Sequence, residues 1–202
     1  MKFVRKIPAT DKRLSEKLVA DGWTKIKEPK NLFTAILASI PFMIINGILA
    51  IFITIQFYNP IANIFANDSF SIVIDLLDII YFIVASFILI IVHELIHMIF
   101  IPNFIKSDKV CWGITLNGGF VATTEKISKT RFIIISIMPL IILSILLPII
   151  LGGCNVLNGF IVFLIIFNAM ASSVDILNLF LIVFQAPKNS YILNNGFETY
   201  VT

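Results

Sequence analysis

The sequence predicts an all-α polytopic membrane protein with about four transmembrane helices and a small cytoplasmic β-hairpin. Three observations carry this. Of the 202 residues, 58% are hydrophobic and only 13% charged, about half the charged share of a soluble domain. Uncharged stretches run from Asn31 to Asn67 and from Phe132 to Val174, far beyond the roughly 20 residues that cross a bilayer. Lys and Arg alternate by loop: nine before residue 32, none in 59–71, five in 102–131, none in 152–158 and one after 185. By the positive-inside rule this alternation puts both termini and the 102–131 loop in the cytoplasm. A formal charge of +3, spread along the membrane flanks, argues against a nucleic-acid partner.

Residues 1–31 form a polar N-terminal segment, too long ahead of the first apolar run for a cleavable signal peptide. Thr10 or Asp11 is placed to cap a short helix through Leu14, Leu18 and Val19, ended by Gly22 with Trp23 following. With Lys12, Arg13 and Lys17 beside it, this helix is expected to lie on the inner leaflet. The membrane domain, 32–185, follows with spans at about 32–58, 79–101, 132–151 and 159–185. Residues 61–78 read as an interfacial helix, a re-entrant segment or part of the second span, because Phe70 to Phe100 is a continuous apolar pattern broken only by Asp75 and Asp78. Pro139 and Pro148 predict kinks in the third span, which can open a water path. Residues 186–202 read as a cytoplasmic tail.

The 102–131 loop carries the one strand-like stretch. Lys109–Leu116 and Phe120–Thr124 are rich in β-branched and aromatic residues and flank Asn117-Gly118-Gly119, a positive-φ turn signal. Cys111 and Cys154 are expected on opposite membrane faces and so unpaired.

The only two histidines fall in HELIH, His93-Glu94-Leu95-Ile96-His97, near the cytoplasmic end of the second span. Positions i and i+4 of a helix share a face, so both imidazoles can reach one Zn²⁺. Glu94 beside them can serve as general base. Each ionisable side chain near the bilayer centre costs about 2.5–3.5 kcal/mol, so three clustered in an apolar helix point to a metal rather than to packing. A catalytic zinc takes three protein ligands. The third must then be a carboxylate or thiolate: Asp175, the one carboxylate between Phe132 and Pro187, or else Asp108, Glu125 or Cys111 of the loop. Helix rise puts His97, His93 and Asp175 at roughly 6, 12 and 15 Å from the cytoplasmic ends of their spans. Asn168 and Asn178 share the Asp175 face; either amide can donate to an oxyanion or hydrogen-bond between helices.

HExxH in an apolar helix, a hairpin after it and a later helix with an Asn and an Asp resemble the site-2-protease type of intramembrane metalloprotease. The chain is similar over nearly its whole length to a bacterial group, the putative zincin peptidases. The shared features are Gly22-Trp23, Ser39-Ile40-Pro41, HELIH, the Asn117-Gly118-Gly119 hairpin, Ile137-Met138-Pro139 and Ser173-Val174-Asp175. The resemblance implies that His93, His97 and Asp175 bind one zinc and that Glu94 is the catalytic base. It departs from the site-2 pattern around Asp175, which lacks a proline shortly before it and is followed by Ile176 rather than glycine.

The function expected is zinc-dependent endoproteolysis of membrane-associated proteins or peptides, with the hairpin, Asn117, Gly118 and Gly119 included, contacting substrate. A transmembrane anti-sigma factor, a signal-peptide remnant and a peptide pheromone precursor all suit such a site. The alternatives are a non-proteolytic zinc-binding membrane protein and an ion transporter subunit.

Overall fold

The computed structural model describes residues 1–58, 75–115 and 118–202. Four helices are long and apolar enough to cross a membrane. They are α2 (Leu32–Thr54), α3 (Leu76–Phe100), a third span over Lys129–Gly153 and a fourth over Gly159–Gln185. Asn31 and Asp75 each make a capping box, with Thr34 and Asp78. Asp75 and Asp78 thus start α3 rather than interrupt it, three residues before the expected start. Residues 61–74, expected to be interfacial, re-entrant or spanning, lie outside the described residues.

The third span is compound: α4 (Lys129–Pro139), a π-helical stretch (Leu140–Leu146) and α5 (Leu147–Gly153). The wide turns follow Pro139, which supplies no N–H to the ladder. Its start lies three residues earlier than hydropathy suggested, because Lys129 and Arg131 bend back onto neighbouring helix ends. Arg131 Nε donates to Phe100 O at the end of α3, and Lys129 Nζ to Val183 O and Ala186 O, cations at helix C-termini. The fourth span breaks at Ser172 into α6 (Gly159–Ala171) and α7 (Ser173–Gln185).

α2 packs on α6 and α7, α3 on α4, and α4 on α7, around a core of Ala50, Leu140, Ile165 and Ala169. The outer faces stay apolar, with Ile45, Ile48 and Phe52 of α2 and Tyr81, Ile83 and Phe87 of α3 exposed. A helix apolar all round suits a lipid surrounding. Between helices the buried polar groups find partners: Ser39 Oγ meets Ser173 Oγ at 3.2 Å, and Asn46 Nδ2 donates to Ala169 O.

The charged segments gather at one end as two small sheets. In one, β1 (Lys2–Phe3) runs parallel to β3 (Val110–Thr115), which pairs with β4 (Gly118–Thr123). Thr115 pairs with Gly118, so Gly118 and Gly119 belong to the strand rather than to the turn expected of them. The connection is residues 116–117, and Asn117 lies outside the described residues. In the other sheet the order is β2 (Thr24–Lys25), β7 (Glu198–Val201), β6 (Tyr191–Asn195), β5 (Ile127–Ser128).

The expected tail is therefore a hairpin, and strands occur well outside the 102–131 loop. Gly196 turns this hairpin at φ +63, where a Cβ would strike the backbone of Ala9 and Thr10. α1 (Lys12–Ala20) is capped by Asp11. It leans on the hairpin rather than standing free: Leu18 is buried, and Asn195 bonds Asp11 and Ser15. Both cysteines are free thiols.

Candidate metal centre

The last turns of α3 carry His93, Glu94 and His97, all buried. α7 begins after the Ser172 break and presents Asp175 in its first turn, where a helix N-terminus favours a carboxylate. His93 Nε2 lies 3.2 Å from Asp175 Oδ2, His97 Nε2 lies 3.4 Å from Asp175 Oδ1, and the two Nε2 atoms are 3.2 Å apart.

The opposite ring nitrogens fix the tautomers. His97 Nδ1 is 2.7 Å from Ile135 O, an atom that only accepts, so Nδ1 carries the hydrogen. Ile135 O is free for this because Pro139, four residues on, has no N–H to offer it. His93 Nδ1 is 2.9 Å from Asn168 Oδ1. The Asn168 amide is oriented by its Nδ2, which donates to Pro139 O and Ser144 Oγ. Oδ1 therefore faces His93, whose Nδ1 donates.

With both rings neutral, two Nε2 lone pairs and a carboxylate then converge. That donor set fits a cation. Bond lengths of about 2.0–2.1 Å in a tetrahedral zinc site give ligand-to-ligand edges of about 3.3–3.4 Å, close to the separations of 3.2–3.4 Å seen here. Histidine ligands whose far nitrogen donates to a carbonyl or carboxylate oxygen are the usual arrangement at zinc.

Among the described residues this is the one group of three metal-type side chains that converges. The competing third ligands are occupied elsewhere. Asp108 lies 3.8 Å from Lys2, and Glu125 accepts from Ser107 and faces Lys109. The Cys111 thiol donates to Ala122 O, and burial pushes its pKa up, away from a thiolate.

The triad lies in a cavity of about 570 Å³. Glu94, Gly118, Gly119 and Asn178 line it too. Glu94 has no hydrogen-bond partner among the described residues. Gly119 is needed where it stands, since a Cβ there would run into the Glu94 side chain, 2.9 Å from Oε1. Asn168 also borders the cavity, but both its amide hydrogens are committed within the fold. Of its two expected roles, oxyanion donor or interhelical bond, the structure holds the second. Asn178 retains a free amide among the described residues.

The sequence profile of the family described as "putative zincin peptidase" matches residues 86–191. The chain belongs to this family. No curated protein and no solved structure matches the chain. The zincin match runs from within α3, ahead of HELIH, through the hairpin, Asn168, Asp175 and Asn178 to the first residue of β6. Membership implies zinc and a metallopeptidase. Sequence reasoning missed the Ile135 carbonyl and the Ser144 hydroxyl. The signal for the first was present in Pro139, whose missing N–H frees the carbonyl four residues back.

Proposed function

We propose that this zincin is a zinc-dependent endopeptidase of the site-2-protease type, cleaving membrane-associated proteins or peptides. The observation that carries the reading is the convergence of three acceptor atoms, with tautomers fixed by Ile135 O and Asn168, in the same cavity as Glu94. When bound, zinc supplies a Lewis acid that polarises a carbonyl and brings the pKa of water to about 7.

The chain's own residues do the rest. His93, His97 and Asp175 hold the ion, and Asn168 and Ile135 O keep the rings aimed. The Glu94 carboxylate takes a proton from the attacking water as the C–O bond forms. It then returns that proton to the amide nitrogen as the C–N bond breaks. Asn178 is placed to donate to the carbonyl oxygen as charge develops there. Peptide bonds within a helix are shielded, so the substrate must be extended. The outer edge of β4, unpaired among the described residues and lining the cavity at Gly118–Val121, suits the addition of such a strand.

The four apolar helices and the distribution of Lys and Arg support an integral protein of the bacterial cytoplasmic membrane with both termini inside. Suitable substrates are a transmembrane anti-sigma factor, a signal-peptide remnant or a peptide pheromone precursor.

The test is metal content and cleavage of membrane peptides by the detergent-purified protein. Wild type should hold one zinc per chain, the His93→Ala and His97→Ala double variant none, and Asp175→Asn should bind it weakly. Glu94→Gln should keep zinc while cleavage falls by about 10²–10⁴. Wild type without metal, or cleavage indifferent to Glu94→Gln, would sink the reading. Ion flux in proteoliposomes with no peptide product would favour a transporter.

A further inference from the structure

The hairpin formed by β6 and β7 reaches the same cavity through one residue, Asn194. β5 pairs only with Tyr191 and Ile192, so β6 runs on past its neighbour. There Asn194 lines the cavity, and β6 packs beside β4. Its backbone register is set by pairing with Thr199. Its side chain is idle among the described residues: Oδ1 is buried without a partner, and no hydrogen bond engages Nδ2.

The next residue shows that idleness is not general on this strand. Asn195 points to the other face, as successive strand residues do. Its Oδ1 accepts from Asp11 N at 3.0 Å, and its Nδ2 donates to Asp11 O at 2.8 Å and Ser15 Oγ at 2.9 Å. Adjacent asparagines thus divide their work: one ties the fold together, and the other faces the cavity unspent. The carboxamide, with Oδ1 closed off from solvent, keeps its Nδ2 to donate to the C=O that every peptide unit presents. It has no charge and no shape preference for a side chain.

We propose that Asn194 is a substrate-binding residue that grips the main chain of an extended peptide lying beside β4, whatever that peptide's side chains. This rests on the peptidase reading above. It adds a contact from a segment beyond residue 191, where the family match ends. It also assigns the substrate class at this point as unfolded main chain, not a particular residue.

The experiment uses the full chain in detergent, loaded with Co²⁺ so that visible absorption reports ligand binding without turnover. The probes are acetohydroxamate, which carries only the metal-binding group, and a hydroxamate bearing an apolar tripeptide. Asn194→Ala should keep its cobalt and its affinity for acetohydroxamate. It should bind the tripeptide probe about tenfold more weakly, the loss expected for about one hydrogen bond. Ester-for-amide replacement along the tripeptide, measured on wild type, should show a loss at one position that disappears in Asn194→Ala.

Equal affinity of wild type and variant for the tripeptide probe would overturn the proposal. If the variant misfolds, an ester series without effect at any position in wild type does the same. Failure of wild type to bind acetohydroxamate would instead remove the peptidase reading, and this inference with it.

Discussion

The helical half and the sheet half of the molecule use polar side chains in opposite ways. Within the helices they are few, and most are matched donor to acceptor, as in Ser144 Oγ to Ile165 O and Thr54 Oγ1 to Ala50 O. The exceptions among the described residues are Glu94, which has no hydrogen-bond partner, and the His93–His97–Asp175 cluster, where three metal-type side chains converge. At the sheet end, polar contacts are many and interchangeable with water: Lys25, Ser15 and Tyr200 all reach Glu198, and Glu28 accepts from Thr199 N and Oγ1. The same residue types therefore mean different things. In an apolar setting converging ligand-type groups mark a ligand, because nothing else there can satisfy them; in a wet one polar side chains mostly mark a seam, and Asn194 stands apart because it joins none.

Gly119→Ala breaks this contrast most sharply. Its methyl displaces Glu94, and activity should fall by about a hundredfold, the scale of a misplaced catalytic group, with zinc content unchanged in elemental analysis. Asn168→Leu comes next. It strips His93 of its Nδ1 acceptor, and zinc affinity measured against a competing chelator should drop about 10–100-fold.

Asn195→Ala cuts as many hydrogen bonds at the sheet end, yet should cost only about 1–3 kcal/mol of stability and leave zinc affinity alone, as thermal unfolding and metal titration would show. The smallest effect is that of pH on the seam. Hydrogen bonds from Lys25, Tyr200 and Ser15 hold the Glu198 carboxyl down from its ordinary 4.5 to about 2. Its contribution is fully present above pH 4.5 and is lost as pH falls through about 2. Because the group is only partly buried and stays in contact with water, screening keeps the loss small. Amide exchange in β2 and β7 should rise over that window and metal content should not track it. Glu28, pushed up by burial, acts in the opposite sense, costing stability as pH rises past its ordinary range.

The same contrast explains what could be read in advance. The spans, HELIH and Asp175 were legible because an apolar background makes every ionisable residue conspicuous. The sheets were not, because strands of two residues such as Lys2–Phe3 and Thr24–Lys25 carry no period. The terminal hairpin does carry a turn signal in Gly196, the first of the two loop residues between Asn195 and Glu198, but strands of four and five residues beside it read equally well as a polar tail. Lys129 and Arg131 masked the start of the third span because hydropathy counts their charge and not where the side chain reaches. The role of Asn168 needed three elements at once, α3, α6 and the proline turn, and no local pattern holds all three.

Pro139 is where the fold accepts a weakness for the sake of the site. A proline inside a helix forfeits a ladder bond, at a cost of about 3 kcal/mol in an ordinary helix. Any other residue at position 139 would restore an N–H that competes with His97 for Ile135 O. The third span would gain regularity, and the histidine would lose the contact that decides which nitrogen faces Asp175. Stability and ligand readiness are traded against each other at one backbone atom, and this chain has settled the exchange in favour of the ring.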